Sequence, residues 1–427
     1  MTAFDFQPVF KKTTLDNGVR VVTEHHPFSR ATSAAVYVDL GTRDEPKHLN
    51  GAAHFVEHLV FKGTKERSAF EIAKSLEAVG GELNAYTSRE YTCFHATSLR
   101  EHMSLSLDVL VDLATQAVFA EEEFGKEREV IEQEIDMSAD LLEEYIFDLY
   151  FEHAYKGHSL GLPILGTRQS LHSMTRNSLF DFYDSRYGGK NLLVSVAGDV
   201  DHDRVLELVE KSLSQTRSKV ETPKRDIPRV EPFSSVIHRP SEQIHLLAGM
   251  PSGSFVDPRR FEAYIVNALL GGGMTSRLYQ KVREEQGLVY SIYSYLHTFT
   301  DSGLIMVYAG TSAKNAPVVL QNMAEEMKRL RKEGMTQEDL DFFKTQVKGT
   351  ILLGADDIEN RMNSIAVNEM IFQRYRPVEE IVEEIDRISV DSIREYIDDN
   401  FKPENRGVMV MGDVDEATAQ SWVSAAF

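Results

Sequence analysis

LHSMTRNSLFDFYDSRYGGKNLLVSVAGDVD (Leu171 to Asp201) and IDRISVDSIREYIDDNFKPENRGVMVMGDVD (Ile385 to Asp415) align without a gap at a constant offset of 214 residues. Nine of the 31 positions are identical: Ser178, Asp184, Asn191, Val194, Val196, Gly198, Asp199, Val200 and Asp201 all recur. Pairs such as Leu179/Ile393 and Tyr187/Phe401 keep one apolar helical face. Each copy then passes through a turn into a β-rich run that closes on Gly-Asp-Val-Asp. An offset of half the chain length implies an internal duplication, and so two related domains.

Working outward, residues 214–235 (SQTRSKVETPKRDIPRVEPFSS) carry Pro223, Pro228 and Pro232 with few apolar residues, the composition of an extended connector. The expected division is a domain over 1–213, a linker over 214–235 and a related domain over 236–427. Leu15-Asp16-Asn17-Gly18 signals a turn before a strand at 19–23, and another strand is expected at 33–40. Residues 82–88 and 91–98 read as a hairpin, with helices near 51–62, 68–79, 101–118 and 121–150. The second half shows a helix near 258–270 and strands near 289–296 and 303–310. The fold class is α+β: two homologous domains, each a mostly antiparallel mixed sheet packed with helices.

The 427 residues include 67 acidic and 46 basic side chains, a formal net charge of -21. That surface repels nucleic-acid phosphates and anionic membranes, so neither is an expected partner. No run of roughly 18 apolar residues occurs. The opening MTAFDFQPVFKKTTLDNG lacks a signal core and a transit-peptide composition. The single cysteine, Cys93, excludes an intrachain disulfide framework and fits a small packed side chain in a reducing compartment. The expected location is cytoplasmic.

His54-Phe55-Val56-Glu57-His58 carries the chemistry. On a helix, residues four apart share a face, so both imidazoles suit one tetrahedral zinc. Glu57 lies beside them, placed as a base toward the attacking water rather than as a ligand. The pattern H-x-x-E-H inverts the H-E-x-x-H order of other zinc peptidases. A third ligand is expected from EEEFGKEREVIEQEIDMSADLLEEY (121–145). Glu127 and Glu134, seven apart, share a face there. Spacing alone leaves Glu129, Glu132 and Glu134 all open. His25, His26, His153 and His158 have no ligand-like partner and read as structural or solvated.

GAAHFVEHLVFKGT (51–64), EREVIEQEIDM (127–137) and the duplicated architecture resemble the pitrilysin and mitochondrial processing peptidase family, and most closely its short bacterial members. The resemblance spans nearly the whole chain. It implies that Glu134, 76 positions after His58, completes a site for one Zn2+ per chain. It further implies that Glu127 supports that site electrostatically. GGELNAYTSREYTCF (80–94) looks like the family's edge strand, where Asn84 and Ala85 hydrogen-bond an extended substrate. GGGMTSRLYQKVREEQGLVYSIYS (271–294) is similar to its C-terminal signature. There Arg283 and Tyr290 match a pair reaching across from the second domain, with Tyr290 toward the oxyanion and Arg283 toward the substrate carbonyls. Gly271 to Gly273 precede no Lys-Ser/Thr and so do not form a phosphate loop; a flexible lid or substrate loop is expected.

At the offset of 214, His54, Glu57 and His58 fall opposite Ala268, Gly271 and Gly272. Only the first domain is therefore expected to carry metal, with the second completing the substrate cavity. These readings converge on a zinc metalloendopeptidase acting on short or unfolded peptides. The resemblance implies a chamber enclosed by two chains; a homodimer is expected because every motif for activity is present, with a related partner subunit as the other arrangement. The alternative function is a non-catalytic or presequence-processing subunit of a heterodimeric peptidase.

Overall fold

A computed structural model describes residues 8–427; residues 1–7, the start of the opening stretch, lie outside the described residues. Two sheets are present. The first has six strands: β1 (Val9–Thr14), β2 (Arg20–His25), β3 (Ala31–Val38), β4 (Glu82–Thr87), β5 (Thr92–Leu99) and β6 (Leu192–Gly198), in the order β1-β2-β6-β3-β5-β4. Only the β2–β6 pair is parallel. The second has five: β7 (Phe233–His238), β8 (Ile244–Pro251), β9 (Val289–Thr298), β10 (Gly303–Thr311) and β11 (Gly407–Gly412), in the order β7-β11-β8-β10-β9. Again one pair, β7–β11, is parallel. Leaving out β1, the two sheets share one topology, as a duplicated α+β chain requires.

The recurring residues mark backbone constraints. Ser178 and Ser392 sit in capping boxes closed by Thr175 and Ser389, starting the helices Arg176–Arg186 and Val390–Asn400. Asp201 and Asp415 each cap the following helix, accepting from Arg204 N and Thr418 N at 2.9 Å. Gly198 and Gly412 end β6 and β11 at φ 136° and 154°, a conformation other residues avoid. Gly-Asp-Val-Asp is thus a strand-to-helix connection.

Compactness divides the chain differently from the contiguous split expected at 213 and 236. One unit gathers residues up to Asp136, Leu162–Arg225 and Leu353–Arg376; the other gathers Met137–Gly161, Asp226–Leu352 and Pro377–Phe427. The single helix expected over 121–150 is broken at Leu141, whose backbone (φ -85°, ψ 75°) leaves the helical region. Beyond it, Leu142–Ala154 buries Ile146, Tyr150, Phe151 and Ala154 among Leu247, Met306 and Met409 in the second unit. Conversely, the helix Ile358–Phe372 buries Met362, Ile365 and Ala366 among Val22, Tyr37, Cys93 and Leu193 in the first. Each half of the sequence thus lends one helix to the other half's sheet. Residues 214–232 form neither helix nor strand, and β7 takes the end of the expected linker. Among the described residues no helix is long and apolar enough to cross a membrane.

The lent helix is tied down electrostatically within the first unit. Arg361 donates to both oxygens of buried Glu24, at 2.7 and 2.6 Å, and buried Glu369 meets Lys12 Nζ at 2.6 Å. Burial pushes the Glu24 carboxyl up, but the hydrogen bonds and charges of His26 and Arg361 outweigh it and hold the group at about 2. Arg361→Ala strands a buried carboxylate at a cost of about 3–5 kcal/mol. Hydrogen exchange should then accelerate in 353–376 and β2 ahead of the rest of the unit. Because folding lowers this pKa from 4.5, the stabilisation is complete above that pH and is lost as pH falls toward 2. The same segment of the unaltered protein should loosen across that window.

Candidate active site

The motif helix runs Ala52–Val60 and buries Ala52, Ala53, Phe55, Val56, Leu59 and Val60. The 3.6-residue period therefore turns His54, Glu57 and His58 away from the core. Its N-terminus is closed by the carboxyl group of buried Glu45, which accepts from Gly51 N at 2.8 Å, Ala53 N at 2.7 Å and Asn50 Nδ2 at 3.2 Å. Burial pushes the Glu45 carboxyl up to about 8 against the lowering effect of these donors.

The acidic helix is Glu121–Asp140, with Phe124, Glu127 and Ile131 buried. Spaced three and four apart, these form one stripe, and Glu134 is its next position. Phe124 stacks on Phe55 with ring centroids 5.2 Å apart, locking this stripe to the motif helix. The stripe also resolves the choice that spacing left open: Glu132 pairs with Arg168 at 2.9 Å, and Glu129 is exposed.

Glu134 Oε2 lies 3.8 Å from His54 Nε2 and 3.5 Å from His58 Nε2. One ligand atom from each of the three residues falls within 4.8 Å of the others. Bonds of about 2.0–2.2 Å at tetrahedral angles would separate ligand atoms by roughly 3.3–3.5 Å, so two imidazoles and a carboxylate fit zinc here and leave a position open. Burial, then the neighbouring His58, lowers the His54 pKa to about 3, leaving a neutral imidazole with a free lone pair. Behind the cluster, Glu127 Oε2 lies 3.0 Å from His58 Nδ1, and Glu127 Oε1 meets Lys62 Nζ at 2.8 Å. A carboxylate on the far nitrogen fixes the tautomer that presents Nε2.

Glu57 is not part of the cluster of possible ligands. Burial raises its carboxyl pKa, opposed by the Thr87 hydrogen bond and His58 and assisted by Glu134. The Thr87 hydroxyl donates to Glu57 Oε2. Thr87 ends β4, which among the described residues is a sheet edge paired only with β5. On β4, Asn84 Oδ1 accepts from Ala85 N at 2.8 Å. A cavity of about 690 Å³ runs alongside, lined by Phe61, Ile72, Leu76, Leu83 and Asn84 among others. His54, His58, Glu134, Glu57, Glu127, Asn84 and Ala85 thus all lie in the first unit.

Arg283 and Tyr290 lie in the second unit, where the guanidinium sits 5.3 Å from the centre of the Tyr290 ring and Tyr290 is 78% exposed. The glycines of 271–273 include a packing contact where a flexible lid was expected: a Cβ on Gly271 would fall 2.4 Å from Ser294 N. Cys93 is buried, with its thiol pushed up to about 12 by burial, so it is inert. His26 bonds Glu24, His153 bonds Leu149 O, and His158 bonds Asp226 O, all structural.

Sequence reasoning passed over Glu45, Lys62 and Thr87. Lys62 is four residues beyond His58, and Thr87 is two beyond Ala85 on the same strand face, so periodicity held a signal for both. Glu45 lies in a loop and gave none.

The family description Insulinase (Peptidase family M16) matches residues 20–168, and Peptidase M16 inactive domain matches residues 173–347. The uncharacterized zinc protease YmxG of Bacillus subtilis is 35% identical over 90% of this chain and 94% of its own. An uncharacterized zinc protease of Streptomyces coelicolor is 36% identical over 90% and 85%. The chain belongs to peptidase family M16. The M16 match at 20–168 contains the whole His54–His58–Glu134 cluster with Glu57 and Glu127. Solved structures share the M16 fold. A protease from Helicobacter pylori gives a TM-score of 0.87 at 22% identity, covering 95% of this chain and 100% of that one. A peptidase M16 inactive domain from Pseudomonas fluorescens gives 0.88 at 16%, covering 95% and 98%.

Glu45→Ala would leave Gly51 and Ala53 N–H groups buried and unpaired, at about 1–3 kcal/mol. Urea denaturation should show that loss, with a smaller one for Glu45→Gln, which retains an acceptor oxygen.

Proposed function

We propose that this protein is a zinc metalloendopeptidase hydrolysing short or unfolded peptides. The observation that carries the reading is the convergence of His54, His58 and Glu134 beside a carboxylate, Glu57, that is not in the cluster. Bound zinc would supply Lewis-acid activation of the attacking water. His54, His58 and Glu134 would hold it, and Glu127 would orient His58. Glu57 Oε1, left free by the Thr87 bond to Oε2, accepts the proton of that water and returns it to the leaving amine. The raised pKa of Glu57 suits a group that must release its proton later. Substrate enters as a strand along β4, near Asn84 and Ala85, with the neighbouring cavity taking its side chains. Arg283 and Tyr290 join through the family resemblance alone, Tyr290 donating to the oxyanion and Arg283 holding substrate carbonyls. A cytoplasmic homodimer is the form we assign to it.

Zinc analysis and a quenched peptide library test the reading. Wild type and Glu57→Gln should both hold close to one zinc, while activity falls roughly 10²- to 10⁴-fold in the variant. Unchanged activity removes Glu57 from the mechanism. Protein that holds no zinc and stays inert after zinc addition is a non-catalytic subunit instead, and cleavage confined to basic amphipathic peptides marks a presequence-processing one. Glu127→Gln should weaken zinc about 10- to 100-fold in chelator competition, and Glu129→Gln should not.

A further inference from the structure

We infer that Thr87 is a positioning residue, tying the strand that accepts substrate to the orientation of the base; the inference rests on the peptidase reading above. Glu57 has three rotatable side-chain bonds, and its one hydrogen bond among the described residues is the one from Thr87. A hydroxyl has a single proton to give. Spent on Oε2, that proton settles which carboxylate oxygen is engaged and which is free to meet a water. A base held within a few tenths of an ångström gains most of the advantage of an intramolecular reaction, and one that wanders loses it.

The donor's address matters as much as its chemistry. Thr87 is the last residue of β4, the strand whose outer edge is unpaired among the described residues. Strand alternation puts Ala85 and Thr87 on one face and Asn84 on the other, opposite His95. The Ala85 N–H is meanwhile taken by the Asn84 carboxamide rather than left bare. A peptide carbonyl pairing with Ala85 N–H must displace that carboxamide, two residues, or about 7 Å, from the residue holding Glu57. Seating a peptide on β4 and aiming the base are therefore adjustments of one short piece of backbone. Valine at position 87 keeps the branched shape of threonine and removes the proton.

The test compares zinc-loaded Thr87→Val and Thr87→Ser with wild type by steady-state cleavage of a quenched peptide, zinc content, and crystal structures. The expected result is full zinc and KM within about twofold in both variants. The kcat of Thr87→Val should fall roughly 10- to 100-fold and that of Thr87→Ser recover to near wild type. An unchanged kcat in Thr87→Val, a loss confined to KM, or no rescue by serine would overturn the inference. Should wild type carry zinc yet cleave nothing, the peptidase reading fails by itself. The structures then decide: a Glu57 carboxylate that keeps its orientation in Thr87→Val overturns the inference, and one that swings away in valine but not serine supports it.

Discussion

The Phe55–Phe124 stack joins two helices that the chain supplies 69 residues apart, and the first unit's chemistry depends on it. On one side of that contact the motif helix shows His54, Glu57 and His58. On the other, the acidic helix continues its buried stripe from Phe124 through Glu127 and Ile131 to Glu134. Apolar packing sets the angle, and the polar groups inherit it. This is why a helix with nine Asp and Glu residues among twenty delivers one carboxylate to the two imidazoles and a second to the back of His58.

The duplicated half shows what the same scaffold does without that task. In the second unit the helix Arg260–Gly271 closes against the edge strand β9 at Gly271. No Cβ fits there, since it would meet Ser294 N at 2.4 Å. In the first unit the gap between the motif helix and the edge strand is spanned by side chains, Glu57 meeting Thr87. In the second it is shut by backbone.

Much of this was legible in the residues, and the reasons are local. The repeat was visible because capping boxes, N-cap aspartates and left-handed glycines tolerate few substitutes, so Ser178, Asp201 and Gly198 recur beside the core residues Val194, Val196 and Val200. The two-histidine face followed from helical period. Glu134 could not be chosen over Glu132 or Glu129 by spacing, because the choice lies in the stacking of Phe124 on Phe55 and in Arg168 claiming Glu132. The exchange of helices was hidden for a similar reason. Residues 142–154 and 358–372 are amphipathic whichever sheet they cover, and nothing local names the sheet. Glu24 with Arg361, 337 positions apart, is the signal that decides it, and pairs so distant leave no pattern in one sequence.

On the reading proposed above, three donors from two helices form one metal site while the neighbouring glutamates stay outside it. A crystal structure of the zinc-loaded protein with anomalous data at the zinc edge tests it most directly. One strong peak per chain is expected within bonding distance of His54 Nε2, His58 Nε2 and a Glu134 oxygen, with Glu57 and Glu127 unligated. A peak ligated by Glu57 or Glu127, or density only elsewhere on the acidic surface, would contradict it.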